Sequence, residues 1–249
     1  MKKSIIALAV FIVTQLVGTV IAALFTDGIQ TTIWALIISE ALAFAILWGF
    51  RLIQPVELVG YVRPIIMLTA IPLIIASLFA LNLINSALDL PNQMEQQFAE
   101  MARSIPGVIS MAFLGPIIEE IVFRHVIIDD VLGFSGKAWI AVTVSAALFG
   151  LIHINPAQMV FAFMTGIILG WVYIRTKSLL PCIIGHIINN SEAVIELHLC
   201  EDGKMLSEDL KFYQDSLYLT IFIVCCIAAV FLAIALKRQT AAQDTATEL

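Results

Sequence analysis

An all-α fold, a polytopic membrane protein of about eight transmembrane helices, is what this sequence predicts, on three observations. The 249-residue chain is 61% hydrophobic and only 13% charged, with a mean hydropathy of +1.00, which leaves too little polar surface for a water-soluble domain of this length. Its apolar residues gather in runs close to the ~20 residues a helix needs to cross a bilayer. Its basic residues fall between those runs in a pattern that fits one orientation. Backbone polar groups in lipid must be satisfied within their own segment, so the runs read as helices.

Taken in order, the segments lie at roughly 4–25, 30–50, 65–85, 105–128, 138–154, 157–174, 179–198 and 216–236. The first follows Met1-Lys2-Lys3 and is longer than a signal-peptide core, with no small-residue cleavage site behind it, so it reads as an uncleaved span. Between the third and fourth, Asn92 to Ser104 sets Met94, Phe98 and Met101 at helical spacing among charges, the pattern of an interfacial amphipathic helix. Gly133 to Gly136 marks the turn after the fourth segment, and Asn155-Pro156 a tight turn between the short fifth and sixth. The sequence after Arg238 is polar and reads as a disordered tail. The organisation expected is therefore 1–104 for the N-terminal spans and interfacial helix, 105–199 for a polar-motif core, and 200–249 for an outer loop, a last span and the tail.

An even span count puts both termini on one side. With that side cytoplasmic, the inner ends carry Lys2, Lys3, Arg51, Arg63, Lys137, Arg175, Lys177, Lys237 and Arg238, and the outer loops only Arg103, Lys204 and Lys211. This positive-inside bias supports both the count and the orientation, and the location expected is a bacterial inner membrane with both termini cytoplasmic. The net charge of -6 matters less than that distribution, and the sparse basic residues exclude nucleic acid as a partner. Four cysteines (Cys182, Cys200, Cys225, Cys226) show no metal-ligand spacing and imply no disulfide.

Ionisable residues inside spans are costly and mark function. In "GPIIEEIVFRH", Glu120 and Arg124 stand at i,i+4 in the favourable order and can neutralise each other. Glu119 lies about 100° away around the helix and is left for chemistry. "FGLIH" supplies Phe149 and His153. Glu119 lies as many residues before Gly136 as His153 lies after it, so an antiparallel hairpin brings the two to one level. "GHIINN" puts His186 and Asn190 on one helix face. Glu192, Glu196 and His198 read instead as the outer end of the seventh span.

Glu, His, His and Asn suit hydrolysis by an activated water. Glu119 would be the general base, with His153 holding the water. His186 and Asn190 would stabilise an oxyanion in a dry cavity. Glu119, His153 and His186 could equally hold a zinc ion, and no cofactor is required by the residues alone. The sequence leaves the two open. It holds no HExxH and no GxGD, and its GxSG match (Gly133 to Gly136) sits in a charged turn.

The ordered set "EEIVFR", "FGLIH" and "HIINN" resembles the EExxxR, FxxxH and HxxxN motifs of the CAAX-protease and bacteriocin-processing family, also called the Abi or Rce1-like family. The resemblance covers about 105 to 195. It implies an eight-helix Rce1-like bundle and an intramembrane endopeptidase of glutamate or metal-dependent type, active in peptide maturation or self-immunity. The partners it implies are a membrane-associated peptide or protein substrate and the lipid bilayer; no oligomeric state follows. Glu119, His153, His186 and Asn190 match the family's catalytic positions, and Glu120, Arg124 and Phe149 its supporting ones. His125 stands where many relatives have glycine, which implies a crowded cavity or an altered substrate choice with the motif residues intact. The alternatives are a non-catalytic immunity or scaffold protein of the same fold that binds a peptide, and a transporter with a Glu/His proton relay.

Overall fold

The computed structural model describes residues 1–24, 28–53, 60, 62–199 and 216–247. The acidic outer loop expected from Cys200 to Ser216 falls almost wholly outside them. Among the described residues there are helices and no strands: α1 (Lys2–Leu24), α2 (Ile29–Gly49), α3 (Pro64–Ala87), α4 (Glu95–Ala102), α5 (Ile105–Ser135), α6 (Ala138–Leu151), α7 (Pro156–Thr176), α8 (Leu180–Leu199) and α9 (Ser216–Thr247). The fold is an all-helical membrane bundle.

Each of the eight apolar segments forms a helix, but among the described residues only six are both long and apolar enough to cross a bilayer: α1, α2, α3, α5, α7 and α9. Helix α6 is apolar but has 14 residues, and α8 spans 20 residues with His186, Asn189, Asn190, Glu192 and Glu196 along it. The count of eight crossings is thus not reproduced. The expected amphipathic helix is α4, whose Ala99, Met101 and Ala102 are buried.

Two boundaries differ from expectation. The fourth span continues to Ser135 and ends on Gly136, whose φ of 64° is the left-handed cap glycine adopts without steric cost. The turn is therefore shorter than Gly133 to Gly136. The last helix runs past Arg238 to Thr247 instead of ending in a disordered tail. The first turns of that extension are rich in helix-favouring Ala and Gln, and Thr240 is buried with its Oγ1 bonded to the Leu236 carbonyl at 3.0 Å.

Helix α5 is not a uniform α-helix. It widens into π-helix over Ser110–Leu114 and again over Ile121–Ile128. The first widening has a cause in the sequence. Proline cannot donate a backbone hydrogen bond, and its ring crowds the carbonyl four residues before it. Pro116 follows Gly115, whose N–H reaches five residues back to the Ser110 carbonyl. Such wide turns cluster at functional sites, and Glu119 and Glu120 sit on the short α-helical piece between the two. In the second, the Phe123 carbonyl accepts a 2.7 Å hydrogen bond from Ser145 Oγ of α6, which satisfies a backbone group in a place with no water to do so.

The broadest helix contacts join α6 to α7, α3 to α9 and α1 to α2. Helices α6 and α7 meet at Gly166, where an added Cβ would stand 2.9 Å from both Cα and Cβ of Ala146. Gly166→Ala is expected to cost about 1–3 kcal/mol through overpacking, read as a lowered unfolding midpoint in detergent; an unchanged midpoint would show that the two helices can separate freely.

Candidate active site

Three of the motifs meet at one imidazole. His186, from α8, points its Nδ1 at Glu120 Oε1, 2.8 Å away, and its Nε2 toward Glu119 Oε2 at 3.7 Å. A carboxylate oxygen only accepts, so against an ionised Glu120 the His186 Nδ1 carries the hydrogen. Glu120 is fully buried and lies 3.1 Å from Arg124 Nε, itself fully buried. This is the i,i+4 pair the spacing predicts. The guanidinium also lies over the Phe149 ring at 4.4 Å, a cation–π contact that gains strength where water is excluded. Among the described residues, none of the Arg124 nitrogens nor Glu120 Oε2 makes a hydrogen bond, so the pair is held as an ion pair. Glu119 retains 19% of its side-chain exposure. One carboxylate is thus locked and its neighbour is accessible.

Phe149 ties the second motif to the first. Its ring makes edge contacts with His186 at 5.9 Å and His153 at 5.0 Å, and packs on Phe123 at 5.1 Å. His153 Nδ1 donates to the Phe149 carbonyl at 2.8 Å, which leaves Nε2 as the free ring nitrogen of the neutral side chain. His153 lies just beyond the end of α6. The next residue, Ile154, has φ of 58°, a strained backbone for a β-branched side chain. Buried Asn155 then ties the turn to the segment before α4, accepting from Gln93 N at 3.2 Å and donating to Asn92 Oδ1 at 2.8 Å.

The hairpin expectation is one level for Glu119 and His153; among the described residues no hydrogen bond or ion pair joins them, and the imidazole against Glu119 is His186. Asn190 is held by two contacts: its Nδ2 donates to the Met111 carbonyl at 3.0 Å, and its Oδ1 accepts from Asn189 at 3.1 Å. The second hydrogen on Nδ2 remains for another acceptor. Glu192 is exposed and lies toward the end of α8, as expected. Among the described residues, no three His, Cys, Asp or Glu side chains gather as a metal-ligating group. Glu120 is engaged by Arg124 and His186, while Glu119 and the His186 Nε2 face each other at 3.7 Å.

His125 does not crowd this cluster. It faces Asp129 Oδ2 at 3.3 Å and Tyr173 Oη at 3.4 Å, and the tyrosine donates to Asp129 at 2.8 Å. Together with Lys3, Arg51 and Asp130 it lines a separate open cavity of about 700 Å³. Sequence reasoning missed Glu40, a buried carboxyl within α2. An acidic residue inside an apolar run was the signal that could have found it.

Residues 101–191 match the family model described as Type II CAAX prenyl endopeptidase Rce1-like. Two curated proteins align with part of the chain. The membrane-embedded CAAX protease MroQ of Staphylococcus aureus (strain USA300) is 35% identical over 101 residues, covering 38% of this chain. The YdiL protein of Bacillus subtilis (strain 168) is 28% identical over 101 residues, covering 40% of this chain. The chain spans 41% of the length of each relative. No solved structure matches it significantly.

Proposed function

We propose that this chain, whose residues 101–191 match the Rce1-like family model, is an intramembrane endopeptidase whose water is activated by Glu119. The observation that carries the reading is the division of labour between adjacent carboxylates: Glu120 buried between Arg124 and His186, Glu119 accessible beside the same imidazole.

The residues perform the reaction as follows. Glu119 takes a proton from water as the oxygen attacks the carbonyl carbon of a peptide bond. The carbonyl oxygen becomes an oxyanion. His186, donating through Nδ1 to Glu120, keeps its Nε2 toward Glu119, and the free Nδ2 hydrogen of Asn190 donates to the oxyanion. The tetrahedral intermediate collapses, the C–N bond breaks, and Glu119 returns its proton to the leaving amine. His153, with Nε2 free across Phe149, holds the water. The substrate is a membrane-associated peptide or protein, because the cluster lies among helices that cross the bilayer.

The test is cleavage of a panel of membrane-tethered peptides, prenylated and unprenylated, by purified chain in lipid vesicles, with and without chelator. Cleavage at one bond, unaffected by chelator and lost in His186→Ala, is expected. A folded chain that binds a panel peptide but cuts none would replace this reading with a peptide-binding immunity or scaffold protein.

A further inference from the structure

Glu40 has no place in the chemistry above, yet it is a carboxyl on a helix long and apolar enough to cross a bilayer and only 9% exposed. Burying such a group is costly unless it is hydrogen-bonded to something that needs it. Its partner is Ser110, whose Oγ lies 3.1 Å from one carboxyl oxygen and 3.3 Å from the other. Ser110 is itself buried and is the first residue of the π-helical turn Ser110–Leu114. The carbonyl of the next residue, Met111, accepts the hydrogen bond that fixes Asn190. At the other end of the turn, a Cβ on Gly115 would stand 3.5 Å from Glu40 Oε1. Glu119 lies one helical turn further on. The carboxyl therefore lies along the whole wide turn, from Ser110 to Gly115, on the side facing α2.

We propose that Glu40 is a positioning residue of the site: through Ser110 it holds the π-helical turn in register, and so sets the Met111 carbonyl that aims Asn190 at the oxyanion. A π-helical turn is a rare departure from the α-helical pattern, found mostly at functional sites, and here a side chain from another helix lies against it. That contact from Glu40 couples the packing of α2 to the orientation of one catalytic amide. The consequence for rate rests on the peptidase reading; the consequence for the turn does not.

Two measurements on the full chain in lipid vesicles test this. Peptide-resolved hydrogen exchange over 110–115 is expected to accelerate by about five- to tenfold in Glu40→Ala, the worth of one lost hydrogen bond, and to stay at the wild-type rate in Glu40→Gln, whose amide oxygen still accepts from Ser110. Cleavage kinetics are expected to show a similar fall in kcat for Glu40→Ala at unchanged KM, with Glu40→Gln restoring it. Adding Glu40→Ala to Asn190→Ala is expected to cost nothing further, since both act through one amide. Ser110→Ala cuts the same link without touching α2 and carries the same expectations if Glu40→Ala does not fold. Unchanged exchange in the alanine variants, or multiplicative losses in the Glu40→Ala/Asn190→Ala pair, would overturn the proposal. Exchange that responds as stated in a chain that cleaves no peptide upholds the support of the turn and overturns the peptidase reading alone.

Discussion

Glu119→Gln is expected to lower single-turnover peptide cleavage by about 10²–10⁴-fold while leaving the unfolding midpoint in detergent where it was. The amide keeps the size of the carboxyl and loses its ability to take a proton from water. Stability is spared because the ion pair Glu119 makes among the described residues is long, 3.7 Å to His186, and the side chain stays partly exposed; changes at such positions fall within about 0.5 kcal/mol. Glu120→Gln separates the two roles. Glu120 touches both Arg124 and His186 and has no exposure, so its neutralisation strands a buried guanidinium and lowers activity and stability together. A Glu119→Gln chain that cleaves within tenfold of wild type would remove Glu119 as the base. Loss of stability in that variant to the extent seen for Glu120→Gln would show that the pair shares one structural task.

The parts of this site legible in the sequence are those that depend on local spacing. The Glu120–Arg124 pair follows from one helical turn, and the amphipathic α4 from the spacing of Met94, Phe98 and Met101. The contacts that escaped are those set by rotation along α5. The alignment of Glu119 with His153 assumed a uniform helix and a turn at Gly133 to Gly136. The helix instead passes through two wide turns and runs on to Ser135, so equal residue counts on either side of the turn no longer fix facing. His186, from a helix distant in sequence, takes the place beside Glu119. For the same reason His125 turns away to Asp129 and Tyr173. Glu40 escaped differently. It stands out by the same rule as Glu119, but its partner Ser110 lies 70 residues along the chain, and no spacing pattern links two residues that only packing brings together.

The same logic of buried charge gives the largest expected change in stability. Arg124→Met is expected to destabilise the chain by about 3–5 kcal/mol, because it leaves the Glu120 carboxylate buried without its cation. Methionine preserves much of the volume over the Phe149 ring, and its sulfur retains a favourable contact with the aromatic face, so the loss reports the missing charge more than a cavity. Adding Glu120→Gln should then recover most of that loss. The glutamine oxygen still accepts from His186 Nδ1, as Glu120 Oε1 does at 2.8 Å, and no uncompensated charge remains inside. Replacement of a buried ion pair by neutral groups of similar volume is often neutral or stabilising, whereas removing one partner is not. Unfolding midpoints of the wild type, the single variant and the double variant, taken in the same detergent, decide the matter. A single variant as stable as wild type would mean that the pair carries no net charge inside the bundle. A double variant no better than the single would place the loss in the guanidinium's packing on Phe149, and the EExxxR arginine would then act through shape.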